Sequence, residues 1–99
     1  MNGKIKNLSE AIVYYSLEVK ENDKVLITTG STHTNDLVKS LVKEIVSAKG
    51  IPFVRYIDSE VDALLTELTT EERIKILQKQ KQFDVDTFDC FINIRYLTN

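Results

Sequence analysis

The sequence predicts an α/β fold with a mostly parallel sheet, and two features of residues 24–57 predict it. Val25, Leu26 and Ile27 form a continuous apolar run, which indicates a strand that is covered on both faces. A polar loop and an amphipathic helix follow, and they lead into a second strand-like run. Strand, helix and strand in this order form a βαβ unit. We therefore expect a three-layer, Rossmann-like half domain with the element order α-β-α-β-α-α-β.

The first predicted helix covers about residues 8–17, ahead of a strand at residues 24–28 or 24–29. Asn7 and Glu10 have the spacing of a capping box, with Asn7 as the N-cap. The apolar positions recur at spacings of four, three and four along one helical face: Leu8, Ile12, Tyr15 and Val19. We expect this face to pack against the rest of the fold.

The second predicted helix begins after the polar loop and carries apolar pairs at i and i+4, which form a broad stripe. Thr34 or Asn35 is its expected N-cap, and Asp36 lies where a carboxylate favours the helix dipole. Gly50 is the expected C-terminal stop. The second strand then covers residues 51–57.

Two further helices are predicted after the second strand. Asp58 or Ser59 caps the first of them. Thr69 and Glu72 form the capping box of the next, which extends roughly to Gln82. The side chains expected to face inward from this charged helix are Ile74, Ile76, Leu77 and Phe83.

The third predicted strand covers residues 88–95, where Phe88, Cys90, Ile92 and Ile94 alternate with other side chains. The sequence stops soon afterwards, at a point where a doubly wound fold usually turns into another helix. We therefore expect a fragment of a larger protein. Apolar sheet surface left without a covering helix favours self-association, so we also expect a dimer.

Composition limits the function classes. The 99 residues form one domain, spanning residues 1–99. A net charge of −2 argues against nucleic-acid binding, which needs a basic surface. The sequence contains neither an apolar run long enough for a membrane span nor a signal-peptide pattern. With Cys90 as the single cysteine, the chain suits a reducing compartment, and we expect a cytoplasmic protein.

Candidate catalytic residues are few. His33 is the single histidine, and with Asp36 it could hold a metal weakly. A zinc site normally takes three or four ligands, so a histidine on a surface loop is the favoured interpretation. Cys90 lies within a predicted strand and has no histidine near it in the sequence, which favours a small buried side chain over a nucleophile.

The loop at residues 30–35 is the remaining candidate site. Its hydroxyl groups and the helix that follows favour anions, but the loop has neither of the glycine-rich phosphate-binding patterns. A structural loop with an N-cap is therefore favoured over a nucleotide site. The acidic pairs Asp58/Glu60 and Glu71/Glu72 lie at predicted helix starts and suit the dipole. The sequence thus assigns no catalytic, cofactor-binding or metal-binding residue.

Several phrases along the chain resemble, in order, the N-terminus of the thermophilic metallo-aminopeptidase family, which includes the AmpS- and PepS-type bacterial enzymes. Residues 7–27 contain a helix ending in YSL-x-V and a strand beginning DKVLI. Residues 37–50 and 52–55 match the family's next helix and its P-x-V-R strand, and residues 88–95 match a strand written D-x-F-I-N-I-R. Asn22 stands where the family usually has glycine.

The resemblance implies a two-domain, dimeric exopeptidase in which a pair of divalent metal ions, zinc or cobalt, activates water against an N-terminal peptide bond. In the family, the metal ligands lie in the C-terminal portion, so none is carried over onto this chain. The expected function is the non-catalytic N-terminal portion of such an enzyme, partnered by its C-terminal catalytic domain. The alternative is a free-standing α/β binding or interaction module with a weak anion site at residues 30–35. A ring-cleaving dioxygenase with a similar N-terminus is a related possibility.

Overall fold

Helices alternate with three parallel strands over residues 3–95, which are the residues that this computed structural model describes. The elements are α1 (Gly3–Glu10), a π-helical continuation (Ala11–Ser16), β1 (Lys24–Thr29), a 3-10 turn (Thr32–Thr34), α2 (Asn35–Ser47), β2 (Ile51–Tyr56), α3 (Ser59–Glu67), α4 (Glu71–Thr87) and β3 (Cys90–Ile94). The predicted element order is confirmed.

The sheet has the order β2-β1-β3, and both pairings are parallel. Leu26 on the central strand lies opposite Phe53 on one side and Phe91 on the other. The predicted α/β, Rossmann-like fold with a parallel sheet is therefore confirmed. The order 2-1-3 is also the order in which flavodoxin-like sheets begin.

The core lies between one face of the sheet and the pair formed by α2 and the π-helical segment. Its buried members are Val13, Val19, Val25, Ile27, Val38, Leu41, Ile45 and Ile92. On β1, Val25 and Ile27 are fully buried and Leu26 is only 4% exposed. The prediction that both faces of β1 are covered is thus confirmed.

The first helix differs from the prediction in its start and in its buried face. It begins at Gly3, so Asn7 lies inside the helix and is not its N-cap. The chain then widens into π-helical turns, in which the Leu17 N–H donates to the Ile12 carbonyl at 2.9 Å. A π turn adds a residue per turn and shifts the register. Val13 is consequently buried, whereas Tyr15, predicted on the apolar face, is 79% exposed.

The end of α2 shows why a glycine follows it. The left-handed position belongs to Lys49, with φ of 67°, and Gly50 has no positive φ. The Gly50 N–H donates to the Ile45 carbonyl and the Lys49 N–H to the Val46 carbonyl, which is the Schellman pattern. Gly50 serves close packing instead, because a Cβ there would lie 2.7 Å from Cγ1 of Val19.

The helices α3 and α4 are more exposed than the sequence predicts. No residue of either helix is buried, and the four side chains expected to face inward from α4 are 38–64% exposed. The N-cap of α4 is Thr70, which accepts a hydrogen bond from Arg73 N–H, and not Thr69. The helix also continues to Thr87, past the expected end near Gln82.

The contacts of α4 with the sheet lie near its C-terminal end, which explains this exposure. Arg55 on β2 forms an ion pair with Asp84. The Phe88 ring, just after the helix, meets Phe53 and Phe91 edge-to-face at centroid distances of 5.3 and 6.0 Å. Leu26 lies between Phe53 and Phe91 in the register of the sheet, so it shares the face on which the three rings meet. Among the helices of residues 3–95, none has the length and apolar character needed to cross a bilayer.

Candidate functional site

The carboxyl ends of the three strands meet at one edge of the sheet, where Thr29 lies opposite Tyr56 and Ile94. In open parallel sheets, ligands bind outside this edge. Two open pockets lie there and share Gly30. The loop pocket, about 250 Å³, is lined by Gly30, Ser31, Thr32, His33, Tyr56 and Asp58. The crevice, about 240 Å³, is lined by Thr28, Thr29, Gly30, Ile57, Ser59, Asp62, Asn93, Ile94 and Arg95.

The loop pocket is built by a tight 3-10 turn that follows β1. Ser31 is the N-cap of this turn, and its Oγ accepts from the His33 N–H at 3.0 Å and lies 2.8 Å from His33 Nδ1. Thr34 holds the N-cap position of α2, as predicted, but its hydroxyl donates backwards to the Ser31 carbonyl at 2.7 Å. Thr29 joins the same network, with its Oγ1 2.6 Å from that of Thr34. The hydroxyl groups thus stabilise the turn itself.

The opposite wall of the loop pocket is also engaged in protein contacts. The Tyr56 hydroxyl donates to Asn35 Oδ1 at 2.7 Å. The Asp58 carboxylate accepts from the Val61 N–H at 2.9 Å, which confirms Asp58 as the N-cap of α3. Most of the pocket's polar side chains therefore already bind other parts of the protein.

The crevice differs from the loop pocket in this respect. Five polar residues line it whose side chains form no hydrogen bond or ion pair with any other residue in 3–95: Thr28, Ser59, Asp62, Asn93 and Arg95. It lies between the ends of β1 and β3, the position at which 2-1-3 sheets bind their ligands. The polar groups left for a ligand are thus concentrated in the crevice.

The two residues that the sequence offered for chemistry, His33 and Cys90, lie within the loop after β1 and within β3. His33 lies in the loop pocket beside Ser31, and across residues 3–95 no group of three His, Cys, Asp or Glu side chains could hold a metal ion. Cys90 is partly buried against the core. Burial raises the pKa of its thiol, with smaller contributions from the carboxylates of Asp23 and Asp89. Because the thiolate is the nucleophile, this environment disfavours the catalytic interpretation.

The acidic pairs also lie where the sequence placed them. Glu60 is in the first turn of α3, and Glu71 and Glu72 are in the first turn of α4. Glu72 Oε1 also lies 3.3 Å from Lys75 Nζ in an exposed pair. These carboxylates favour the helix dipoles and do not face one another across a pocket.

Sequence reasoning missed the crevice residues. In the sequence, Asn93 and Arg95 are polar positions of the alternating third strand, Ser59 is one of two possible caps of the following helix, and Asp62 carries no signal of its own. Their position in the sequence could have indicated a site, because polar residues that end a strand or begin the following helix lie at the carboxyl edge of a parallel sheet. That signal does not show which strand ends are neighbours.

Comparison with known proteins adds no family to this geometry. Neither the models of protein families nor the curated proteins gave a match to the chain.

Proposed function

We propose that this chain is the non-catalytic N-terminal α/β portion of a metal-dependent aminopeptidase that removes N-terminal residues from peptides. The catalytic pair of divalent ions, zinc or cobalt, would belong to the C-terminal portion of that enzyme. The phrases that resemble the aminopeptidases fall on successive elements of the fold: the π-helical segment, β1, α2, β2 and β3. This agreement of phrase and element supports the proposal.

The observation that carries the proposal is the amount of exposed surface. The accessible surface is 7393 Å², whereas a monomeric protein of 11.4 kDa exposes about 5,800 Å², which is roughly 1,600 Å² less. The radius of gyration, 15.1 Å, likewise exceeds the value of about 13 Å for a compact domain of this length. A standard protein interface buries about 800 Å² of each partner. The excess therefore suits a scaffold that is covered by other protein.

The exposed apolar side chains locate the surface to be covered. They are concentrated on α3, its C-cap and α4, where the side chains at least 43% exposed are Val61, Leu64, Leu65, Leu68, Ile74, Ile76, Phe83 and Val85. Patches of this kind are typical of protein interfaces. In the proposed enzyme, the partners on this surface are the catalytic domain and a second copy of the chain.

The protein acts in the cytoplasm, where its single thiol remains reduced.

The test is to isolate the native protein from its source with an antibody raised against residues 3–16, which are mostly exposed and lie outside the surface of α3 and α4. We expect a polypeptide larger than 11.4 kDa that removes N-terminal residues from a set of unblocked peptides in the presence of zinc or cobalt. A chelator should abolish this activity, and the 99-residue chain assayed in parallel should release none. A native polypeptide of 11.4 kDa without peptidase activity would contradict the proposal.

The loop pocket favours a second candidate function, a free-standing binding module with a weak anion site at residues 30–35. The observation that favours it is an open pocket of about 250 Å³ beside His33 and the start of α2. The hydrogen bonds within the loop count against it. A thermal-shift screen with inorganic phosphate and nucleotides tests this function, and no shift at millimolar ligand would exclude it.

A further inference from the structure

We propose that the crevice is a binding site for a free aliphatic α-amino acid. The first argument is its unpaired polar lining. Thr28, Ser59, Asp62, Asn93 and Arg95 line one space, and their side chains form no hydrogen bond or ion pair with another residue in 3–95. In ligand pockets, a small number of polar groups that converge on the cavity fix the orientation of the ligand.

The second argument is the pair of opposite charges. Asp62 and Arg95 line the same small pocket, yet the two do not form an ion pair. A carboxylate and a guanidinium that line one pocket but form no direct ion pair can each bind the opposite charge of a ligand that carries both charges. The ligand's carboxylate binds the planar, forked Arg95 guanidinium, and its ammonium group binds the Asp62 carboxylate.

The charge of the pocket excludes a simple anion as the best ligand. Arg95 attracts an anion, but Asp62 repels it, so the lining has no net positive charge. A zwitterion satisfies both groups at once. The amide of Asn93 and the hydroxyls of Thr28 and Ser59 supply further hydrogen bonds to the same carboxylate and ammonium groups.

Size and apolar lining restrict the ligand further. The crevice, about 240 Å³, is smaller than the roughly 300–1,000 Å³ typical of drug-sized ligands. Ile57 also lines it and is 40% exposed, so it offers apolar contact to an aliphatic side chain. Leucine therefore combines the required charges, size and side chain. This inference does not depend on the proposed aminopeptidase function.

The experiment is a titration of the full 99-residue chain, followed by the amide signals in nitrogen–proton correlation NMR spectra at pH 7. Three probes separate the two charges: L-leucine carries both, leucinamide carries only the ammonium group and 4-methylpentanoate carries only the carboxylate. We expect saturable shifts with leucine at Gly30 and at the side-chain amide of Asn93. The other two probes should bind at least about tenfold more weakly, because each lacks one charge-assisted contact.

Two variants assign each charge to its residue. Arg95→Gln should remove the preference for leucine over leucinamide, and Asp62→Asn should remove the preference for leucine over 4-methylpentanoate. Lys81→Gln on α4 and Glu67→Gln at the end of α3 make the same charge changes outside the crevice, and both should bind leucine as the unaltered chain does. The dispersion of the spectra reports whether each variant is folded.

Three outcomes would overturn the proposal. One is the absence of saturable shifts at tens of millimolar leucine. Another is equal affinity of the unaltered chain for leucine and 4-methylpentanoate, which would indicate an anion site. The third is a set of shifts confined to Ser31 and His33, which would place the ligand in the loop pocket.

Discussion

Arg55 and Asp84 join β2 to α4 through a two-pronged ion pair, in which Nη1 lies 2.8 Å from Oδ2 and Nη2 lies 3.2 Å from Oδ1. The Asp84 side chain is only 16% exposed. This pair and the Phe88 ring fix the C-terminal end of α4 against the sheet, whereas the rest of the helix has no buried residue. The attachment of α4 therefore depends on a few residues.

The ion pair makes the free energy of unfolding decrease at acid pH. The hydrogen bond from Arg55 lowers the pKa of Asp84 in the folded state, below the unfolded value of about 3.9. The stabilisation is thus present above about pH 4 and is lost as the pH falls through the lowered pKa. We expect Asp84→Asn to lower the melting temperature at pH 7, with a difference that shrinks at acid pH. The neighbouring Asp86→Asn should show no such difference in circular-dichroism melts.

Lys49 occupies a backbone conformation that favours glycine. Its φ of 67° is left-handed, which costs an L-residue roughly 1–2 kcal/mol. Glycine avoids this cost but loses more entropy on folding. We expect Lys49→Gly to raise the free energy of unfolding in urea by about 0.5–1 kcal/mol. The control Lys43→Gly, inside α2, should lower it by about 1 kcal/mol, and a loss of stability in Lys49→Gly would contradict the assignment.

Gly50 should not tolerate a side chain. An added Cβ would lie 2.7 Å from Val19 Cγ1 and 3.0 Å from Ile45 Cγ2, and overpacking of this kind costs roughly 1–3 kcal/mol. We expect Gly50→Ala to lower the free energy of unfolding by that amount. Gly3→Ala is the matched control, because nothing lies within 4 Å of its added Cβ. Combining Gly50→Ala with Val19→Ala should recover part of the loss, and strict additivity would argue against a clash between these positions.

The exposed face of α4 should mediate self-association. Ile76 and Phe83 are 64% and 61% exposed, and their spacing of seven residues places them on one side of the helix. We expect light scattering to detect dimers at micromolar to millimolar concentrations. Ile76→Glu and Phe83→Glu should each weaken dimerisation about tenfold or more, because burial of such a side chain contributes roughly 1.5–3 kcal/mol.

The control for self-association is Gln78→Glu, which adds the same charge on the opposite side of α4 and should leave the dimer unchanged. A monodisperse monomer at millimolar concentration would refute the expected dimer. An equal effect of all three substitutions would show that α4 is not the interface.

Local sequence signals predict the elements of this fold well where the pattern and the packing agree. The apolar run at Val25–Ile27 identified a strand covered on both faces, and Asp58 was recognisable as a cap because its carboxylate binds a backbone N–H two to three residues on. The π-helical segment broke the expected period, so Val13 replaced Tyr15 in the core. The helical pattern of α4 was predicted correctly. Periodicity identifies its apolar face, but it does not show whether that face packs against this chain or against another protein.

The crevice could not be derived in the same way, because it depends on which strands are neighbours. Thr28 and Asn93 are 65 positions apart in the sequence and become cross-strand partners only because β3 joins β1 and not β2. Strand order is a tertiary property without a local signal. The general rule that ligands bind at the carboxyl edge of a parallel sheet points to this edge, and within it the sequence favours the loop after β1 because that loop is contiguous in sequence.

The pairing of β1 with β3 joins segments that are far apart in the sequence, which affects the order of folding and the tolerance of the chain to insertions. The Lys24 N–H donates to the carboxylate of Asp89, 65 positions away, whereas Lys24 lies opposite Ile51 in the β1–β2 pair. The shorter loop closure favours assembly of β1, α2 and β2 before β3 is added. Doubling the length of a flexible connection costs only about 0.6 kcal/mol. Insertions in the short loop between α3 and α4 should therefore carry only a small thermodynamic penalty.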